Sequence, residues 1–164
     1  MKTVLRSVAL ASLCLLSAGS ACAGVTVTFA HPENYVDMPF SPTDREQVLK
    51  DLTEHFSKLA ASLPPDQDLK VEILDLDLAG RLRPNFHGSG QDIRVMRGGA
   101  DWPHIHLRYT LESKGQVLAT GEEHLSNMNY LERLNRYSSG DPLRYEKQMI
   151  DDWFKQKIVP KHVS

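Results

Sequence analysis

Four arginines and four glycines are concentrated between positions 81 and 100. The arginines are Arg81, Arg83, Arg94 and Arg97, and the only acidic residue among them is Asp92. Guanidinium groups bind carboxylates and phosphates through paired hydrogen bonds, and glycine lets backbone amides approach an anion. The stretch, which also holds His87, Gly88, Gly90, Gly98 and Gly99, therefore predicts an anion-binding loop. It lacks the lysine and the strand-loop-helix order of a nucleotide-binding loop, and a flexible loop that offsets an acidic chain is the alternative.

Two histidines, His104 and His106, are two residues apart in a predicted strand. Such side chains share one face, and Glu123 on the next strand could complete a set of two imidazoles and one carboxylate that suits zinc or iron. We favour the alternative, a solvated hairpin face on which His106 and Glu123 form a cross-strand polar pair, because the helical HExxH spacing is missing. We therefore expect no bound metal or other cofactor.

Asp75 and Asp77 also share one face of a predicted strand. They could share a proton or bind a hard cation, but pairing with Arg81, Arg83 or Arg94 is favoured because no nucleophile adjoins them. Serine catalysis finds no support either, since the Ser89 region does not match the five-residue nucleophile elbow. The absence of an assembled catalytic set favours a binding role over an enzyme.

The element that must position these residues is a long predicted strand over residues 69–81. Apolar and polar residues alternate as far as Ile73, but from Leu74 onward the apolar set changes phase. Asp75 and Asp77 then occupy the phase of the earlier apolar set, which a regular strand cannot bury on one side. The pattern predicts either a β-bulge near Ile73 and Leu74 or a strand covered on different faces at its two ends.

The segment before this strand predicts a parallel crossover unit. Residues 25–29 alternate as a first strand, and Ser41 with Pro42 can begin a helix whose apolar stripe ends before Pro64. A strand, a helix and a second strand in this order form a right-handed crossover.

A hairpin is predicted over 104–113 and 116–125, with its turn at Lys114 and Gly115. A two-residue turn with uninterrupted pairing places His106 opposite Glu123.

Three further elements are predicted. A short strand is expected over 92–96 with Ile93 and Val95 inward, and a helix or helical turn is expected within 126–137. A last helix is expected to start at Asp141-Pro142, with Glu146 or Lys147 at the margin of its apolar stripe.

These elements predict an α+β fold of two layers. The sheet is expected to be mixed, with four or five strands, and the first and last helices are expected to pack on one face, because each amphipathic helix must bury its apolar stripe.

The first 23 residues have the features of a signal peptide. Lys2 and Arg6 precede an apolar run over 8–16, and small residues at 21–23 predict cleavage before Gly24. The run is shorter than the roughly 20 residues that cross a bilayer, so no transmembrane span is expected. Lipidation at Cys22 is less favoured because no large aliphatic residue lies three positions upstream. The sequence thus predicts a periplasmic or secreted protein with a single domain over 24–164.

The charge distribution argues against a nucleic-acid partner. The formal net charge is −2 and becomes −4 without Lys2 and Arg6. Residues 81–100 carry +3 (four arginines and one aspartate), which leaves −7 for the rest of the cleaved chain.

Several short motifs in this order resemble a family of exported bacterial proteins, catalogued as domain of unknown function 3016. The motifs are Asp75-Leu76-Asp77-Leu78-Ala79-Gly80, Trp102-Pro103, Gly121-Glu122, Asn127-Met128-Asn129-Tyr130 and Asp152-Trp153-Phe154. The resemblance covers nearly all of the chain after the signal peptide. It implies an exported single-domain protein and no particular activity.

The leading hypothesis is a non-catalytic exported protein that binds an envelope protein or an anionic ligand through the loops around Arg81 to Arg97. The alternative is a metal-dependent enzyme or metal carrier that uses His104, His106 and Glu123.

Overall fold

The computed structural model describes residues 23–84 and 92–159. The elements of these two ranges are β1 (Gly24–Phe29), α1 (Pro42–Ala60), β2 (Gln67–Asp77), β3 (Arg81–Arg83), β4 (Ile93–Val95), β5 (His104–Ser113), β6 (Gln116–Ser126) and α2 (Arg144–Trp153), which continues as a π-helical turn over Phe154–Ile158. The predicted signal peptide up to residue 22 and the residues His87, Gly88, Ser89 and Gly90 lie outside the described residues. None of the described helices is both long and apolar enough to cross a bilayer.

The main sheet has the strand order β1-β2-β5-β6. β1 pairs parallel with β2, and the other two pairings are antiparallel. β3 and β4 form a separate two-stranded ribbon. The predicted mixed sheet of an α+β fold and the parallel β1-α1-β2 crossover are therefore confirmed.

Both helices pack on one face of the sheet and enclose the core. α1 begins as predicted, because the Ser41 side chain accepts a hydrogen bond from the Asp44 amide at 3.5 Å and Pro42 occupies the first turn. Trp153 of α2 is the central contact, since its ring packs edge-to-face on Phe56 of α1 and on Tyr109 of β5. The opposite face of the sheet carries polar side chains and is called the open face below.

A β-bulge at Leu74 resolves the change of phase in β2. The pairing with β5 shifts between Ile73 and Asp75, which leaves Leu74 as the extra residue. Ile73 before the bulge and Leu76 after it are both buried on the helix side. The bulge therefore confirms the first of the two predicted solutions and turns Asp75 to the open face.

A second bulge changes the register of the hairpin. The turn at Lys114-Gly115 has two residues with positive φ, as a two-residue hairpin turn requires. The pairing then shifts between Leu111 and Glu112, and Leu118 is the extra residue. His106 consequently pairs with His124, so the predicted pairing of His106 with Glu123 is wrong.

The segment between β6 and α2 consists of turns rather than a regular helix. It is anchored by Tyr130, which is buried against Ala79 and Tyr145 in a second, smaller cluster. The predicted start of the last helix at Asp141-Pro142 is wrong, because α2 begins at Arg144 and no side chain of the described residues caps it. Asp141 instead closes the preceding turn, since its Oδ1 accepts the Leu143 amide at 2.9 Å.

Candidate functional site

Three of the four predicted arginines line one small cavity at the β3-β4 ribbon. Arg81 and Arg83 lie two residues apart on β3 and project to the same side. Together with Arg97, which follows β4, they line a cavity of about 180 Å³. The remaining lining residues are Val95, Gly98, Ala100 and Asp101. We call this cavity the arginine pocket.

Gly80 fixes the position of the ribbon that carries the pocket. Its φ is 78°, and a Cβ atom there would lie 2.8 Å from both the Met96 Cγ and the Val95 carbonyl oxygen. Its amide donates to the Asp101 carbonyl at 2.8 Å. Glycine is required because only glycine tolerates both the positive φ and this close approach. The start of β3 is thereby held against the turn that carries Arg97 and Asp101.

Among the described residues that line the pocket, Asp101 is the one carboxylate. Its Oδ2 accepts the Arg97 amide at 2.9 Å, and its Oδ1 accepts the Tyr130 hydroxyl at 3.0 Å. Burial and this carboxylate raise the pKa of Tyr130 to about 12. Within the described ranges, no guanidinium of the pocket forms an ion pair within 4.0 Å. The lining carries a formal charge of +2 (three arginines and one aspartate).

The structure does not bring Arg94 into the pocket. Arg94 pairs with Leu82 across the ribbon and projects inward, where its Nη1 donates to the carbonyl oxygens of Ala79 and Pro142, each at 3.4 Å. The same nitrogen lies 3.7 Å from Glu146 Oε1. Ile93 and Val95 lie on the other side of β4, so their predicted inward orientation is wrong: Ile93 is 49% exposed and Val95 lines the arginine pocket.

Glu146 accounts for the inward position of Arg94. Its side chain is completely buried, although the sequence placed it at the margin of the α2 stripe. Oε1 accepts the Ala79 amide at 2.7 Å, while Oε2 has no hydrogen-bond partner among the described residues. Burial raises the pKa of Glu146, and the nearby Arg94 charge opposes that rise.

The open face carries its polar residues in cross-strand rows over β2, β5 and β6. One row holds Asp77, His104 and Ser126, the next holds Asp75, His106 and His124, and the third holds Glu72, Arg108 and Glu122. The third row is a chain of ion pairs, since Arg108 lies 3.0 Å from each of the two glutamates.

The rings of His106 and His124 stack in the middle row, with centroids 3.8 Å apart and planes inclined by 17°. His106 Nε2 lies 2.8 Å from Glu122 Oε1. Hydrogen bonds from His106 and Arg108 lower the pKa of Glu122. These three residues bring their ligand atoms within 4.8 Å of one another. The structure thus assembles His106 with Glu122 and His124.

Glu123 and His104, the other two members of the predicted metal set, lie elsewhere. Glu123 projects to the helix side and lies 2.8 Å from Lys157. His104 Nε2 accepts the Trp102 indole N–H, and its Nδ1 lies 3.9 Å from Asp77. His104 is therefore held on the neighbouring row by its own partners.

Asp75 and Asp77 do not form the predicted pairs with the arginines of the ribbon. They pair in register with His106 and His104 on β5 instead. Burial and, to a smaller extent, the charge of Asp37 raise the pKa of Asp77.

Sequence reasoning missed a buried pair between the two helices. His55 Nε2 lies 2.9 Å from Asp151 Oδ1 and 3.2 Å from the Lys147 carbonyl, so this nitrogen carries the hydrogen. The Tyr137 hydroxyl donates to Asp151 Oδ2 at 2.8 Å. Burial lowers the pKa of His55. The sequence did contain one indication that His55 is buried, because His55 lies three residues after Leu52 on the buried stripe of α1.

The pair borders a cleft of about 590 Å³ between α1 and α2. Its lining includes the lysines Lys58, Lys147 and Lys155 but no serine, threonine or cysteine among the described residues. The hydrogen bonds of His55 to Asp151 and to the Lys147 carbonyl join the two helices.

Comparison with known proteins yields one structural neighbour and one family. No curated protein matches the chain. The crystal structure of protein XCC0632 from Xanthomonas campestris, of the family model DUF330, is similar over 83% of this chain and 81% of that chain, with 10% sequence identity and a TM-score of 0.35. Such a TM-score supports no statement about shared function. Residues 23–156 match the model described as Protein of unknown function (DUF3016), so the predicted resemblance is confirmed and the chain belongs to that family.

Proposed function

We propose that the protein is an exported, non-catalytic binding module that holds an anionic group of its ligand in the arginine pocket. The observation that carries this proposal is the convergence of Arg81, Arg83 and Arg97 on one cavity. Guanidinium groups in a fixed arrangement are suited to bidentate recognition of phosphate or carboxylate oxygens.

The size of the pocket supports a ligand group rather than a whole ligand. Its volume of about 180 Å³ is below the roughly 300–1,000 Å³ of sites that enclose a drug-sized molecule. One phosphate or carboxylate group is the appropriate size, and the rest of the ligand then lies along the protein surface. An envelope protein with an acidic or phosphorylated side chain, or a small anionic molecule, meets this requirement.

The composition of the lining favours binding over catalysis. The Asp101 carboxylate, the candidate general base there, accepts hydrogen bonds from the Arg97 amide and the Tyr130 hydroxyl. The other described lining residues are arginine, valine, glycine and alanine, so this part of the lining offers no serine, cysteine, threonine or lysine as a nucleophile. Binding needs only the guanidinium groups and their anchored backbone.

Export is proposed from the first 23 residues of the sequence. Fractionation of the source cells is expected to recover the protein outside the cytoplasm with Gly24 at its N-terminus. Recovery from the cytoplasm with the first 23 residues attached would contradict export.

The binding proposal is tested with inorganic phosphate as the probe. Isothermal titration of the purified protein should show binding that weakens about tenfold in Arg83→Gln and in Arg97→Gln, since each change removes one charged hydrogen-bond donor group worth about 1.5 kcal/mol. Arg133→Gln is the matched control, because Arg133 is also exposed but pairs with Asp152 at 2.9 Å. Equal affinity in all four proteins would reject the pocket as the anion site.

A further inference from the structure

We propose that His106, His124 and Glu122 bind a divalent transition-metal ion, with zinc as the representative, on the open face of the sheet. This inference is independent of the arginine pocket. Two imidazoles select transition metals over calcium and magnesium, which prefer sets of oxygen ligands, and a carboxylate is a compatible third ligand for zinc.

The two β-bulges create this arrangement. The extra residue Leu74 in β2 turns Asp75 to the open face, directly opposite His106. The extra residue Leu118 in β6 brings His124 opposite His106 from the other side. Bulges are enriched beside functional sites because they redirect side chains. Here, bulges on both sides of β5 surround His106 with potential ligands.

The distances are compatible with closure around an ion. The candidate ligand atoms lie within 4.8 Å of one another, and two imidazole nitrogens bonded to zinc at about 2.0–2.1 Å are roughly 3.4 Å apart. The two rings stack with their planes inclined by 17°, so rotations about the side-chain bonds suffice to bring one nitrogen of each ring to a shared ion. His124 and Glu122 are exposed and His106 is half-buried, which leaves all three side chains accessible to an ion.

A neighbouring charged residue orients the carboxylate ligand of the site. Arg108 donates to Glu122 Oε2, which directs Oε1 toward His106. Arg108 thus acts as an outer partner that orients a metal ligand.

Titration of the metal-free purified protein with zinc chloride tests the proposal. We expect one zinc ion per chain, and binding at least tenfold weaker in His106→Gln, His124→Gln and Glu122→Gln. Two controls are matched to these changes. Glu123→Gln alters the adjacent glutamate, which faces the other side of the sheet and lies 2.8 Å from Lys157. His31→Gln alters an exposed histidine 3.3 Å from Glu33, a pair that lacks a second imidazole.

Both controls should bind zinc as the unmodified protein does. A second readout on the unmodified protein guards against misfolded variants: the NMR ring-proton signals of His106 and His124 should shift together on addition of one equivalent. Failure of the unmodified protein to bind zinc would overturn the proposal. Retained affinity in the double variant His106→Gln/His124→Gln, or equal losses in Glu122→Gln and Glu123→Gln, would overturn it as well.

Discussion

Arg94 Nη1 lies 3.7 Å from Oε1 of Glu146, whose side chain is completely buried. This contact divides the four arginines of the basic stretch by function. Arg94 offsets a buried carboxylate and joins the β3-β4 ribbon to α2, whereas Arg81, Arg83 and Arg97 line the pocket.

Arg94→Gln should destabilise the fold strongly. Removing one partner of a buried ion pair costs about 3 kcal/mol, because the remaining charge is left without compensation. Arg83→Gln, in which an exposed arginine is replaced, should change the free energy of unfolding by less than about 0.5 kcal/mol. Urea denaturation of both variants measures the difference, and equal stabilities would show that Arg94 does not support the fold.

The raised pKa of Glu146 predicts a specific dependence of stability on pH. Its folded-state pKa lies above its unfolded value because burial disfavours the charged carboxylate. The folded state therefore binds this proton more tightly, and the associated stability is present below the unfolded pKa and lost as the pH rises through the folded pKa. Glu146→Gln should lack this loss. Denaturation at several pH values tests this, and identical profiles for the two proteins would count against it.

His55 predicts the opposite dependence. Burial lowers its pKa, so in the range just below pH 6.5 the unfolded chain binds the proton more readily than the folded protein. Stability should fall as the pH drops through the unfolded pKa toward the folded one. In His55→Gln this loss of stability should disappear, although the interaction of residue 55 with Asp151 is weakened at all pH values. If stability falls by the same amount in the variant, the titration of His55 is not the cause of the fall.

The Tyr137 hydroxyl bond to Asp151 should contribute measurably to stability. Tyr137→Phe removes a 2.8 Å hydrogen bond to a charged acceptor and should cost about 1.5–2 kcal/mol. Thr43→Ser, a substitution at an exposed position of α1, serves as the reference. A cost for Tyr137→Phe no larger than for the reference would show that the bond is not stabilising.

Gly80→Ala should disturb both the fold and the arginine pocket. A Cβ atom at this position meets Met96 and the Val95 carbonyl at 2.8 Å, and the positive φ adds strain, so the cost should be about 2–3 kcal/mol. Gly99 also has a positive φ but has no atom within 4 Å of a Cβ, so Gly99→Ala should cost only about 1 kcal/mol. Thermal denaturation should rank the two variants in this order, and the reverse order would contradict the role of Gly80.

The sequence predicted the main sheet well where its alternation was unambiguous. The change of phase between Ile73 and Leu74 was visible because charged residues marked both phases, and a bulge is present there. The second bulge lies within Val117-Leu118-Ala119, where three consecutive apolar residues on an edge strand define no phase. The pairing of the hairpin could therefore not be predicted beyond this point.

The candidate sites were predictable only in part. The basic stretch identified Arg81, Arg83 and Arg97, but the inward orientation of Arg94 depends on Glu146, which is distant in sequence and has a polar character that does not suggest burial. The pairing of His106 with His124 and the proximity of Glu122 likewise follow from the second bulge. Long-range partners and bulges in ambiguous segments are the physical reasons for these differences.

Binding of an anionic group in the arginine pocket can be observed residue by residue when the isotope-labelled protein is titrated with inorganic phosphate and followed by NMR. The largest amide shifts are expected at Arg97, Gly98 and Asp101, and they should saturate with one phosphate per chain. Shifts confined to the lysine-lined cleft near Lys58, Lys147 and Lys155, or no saturable shift at all, would contradict binding in the pocket.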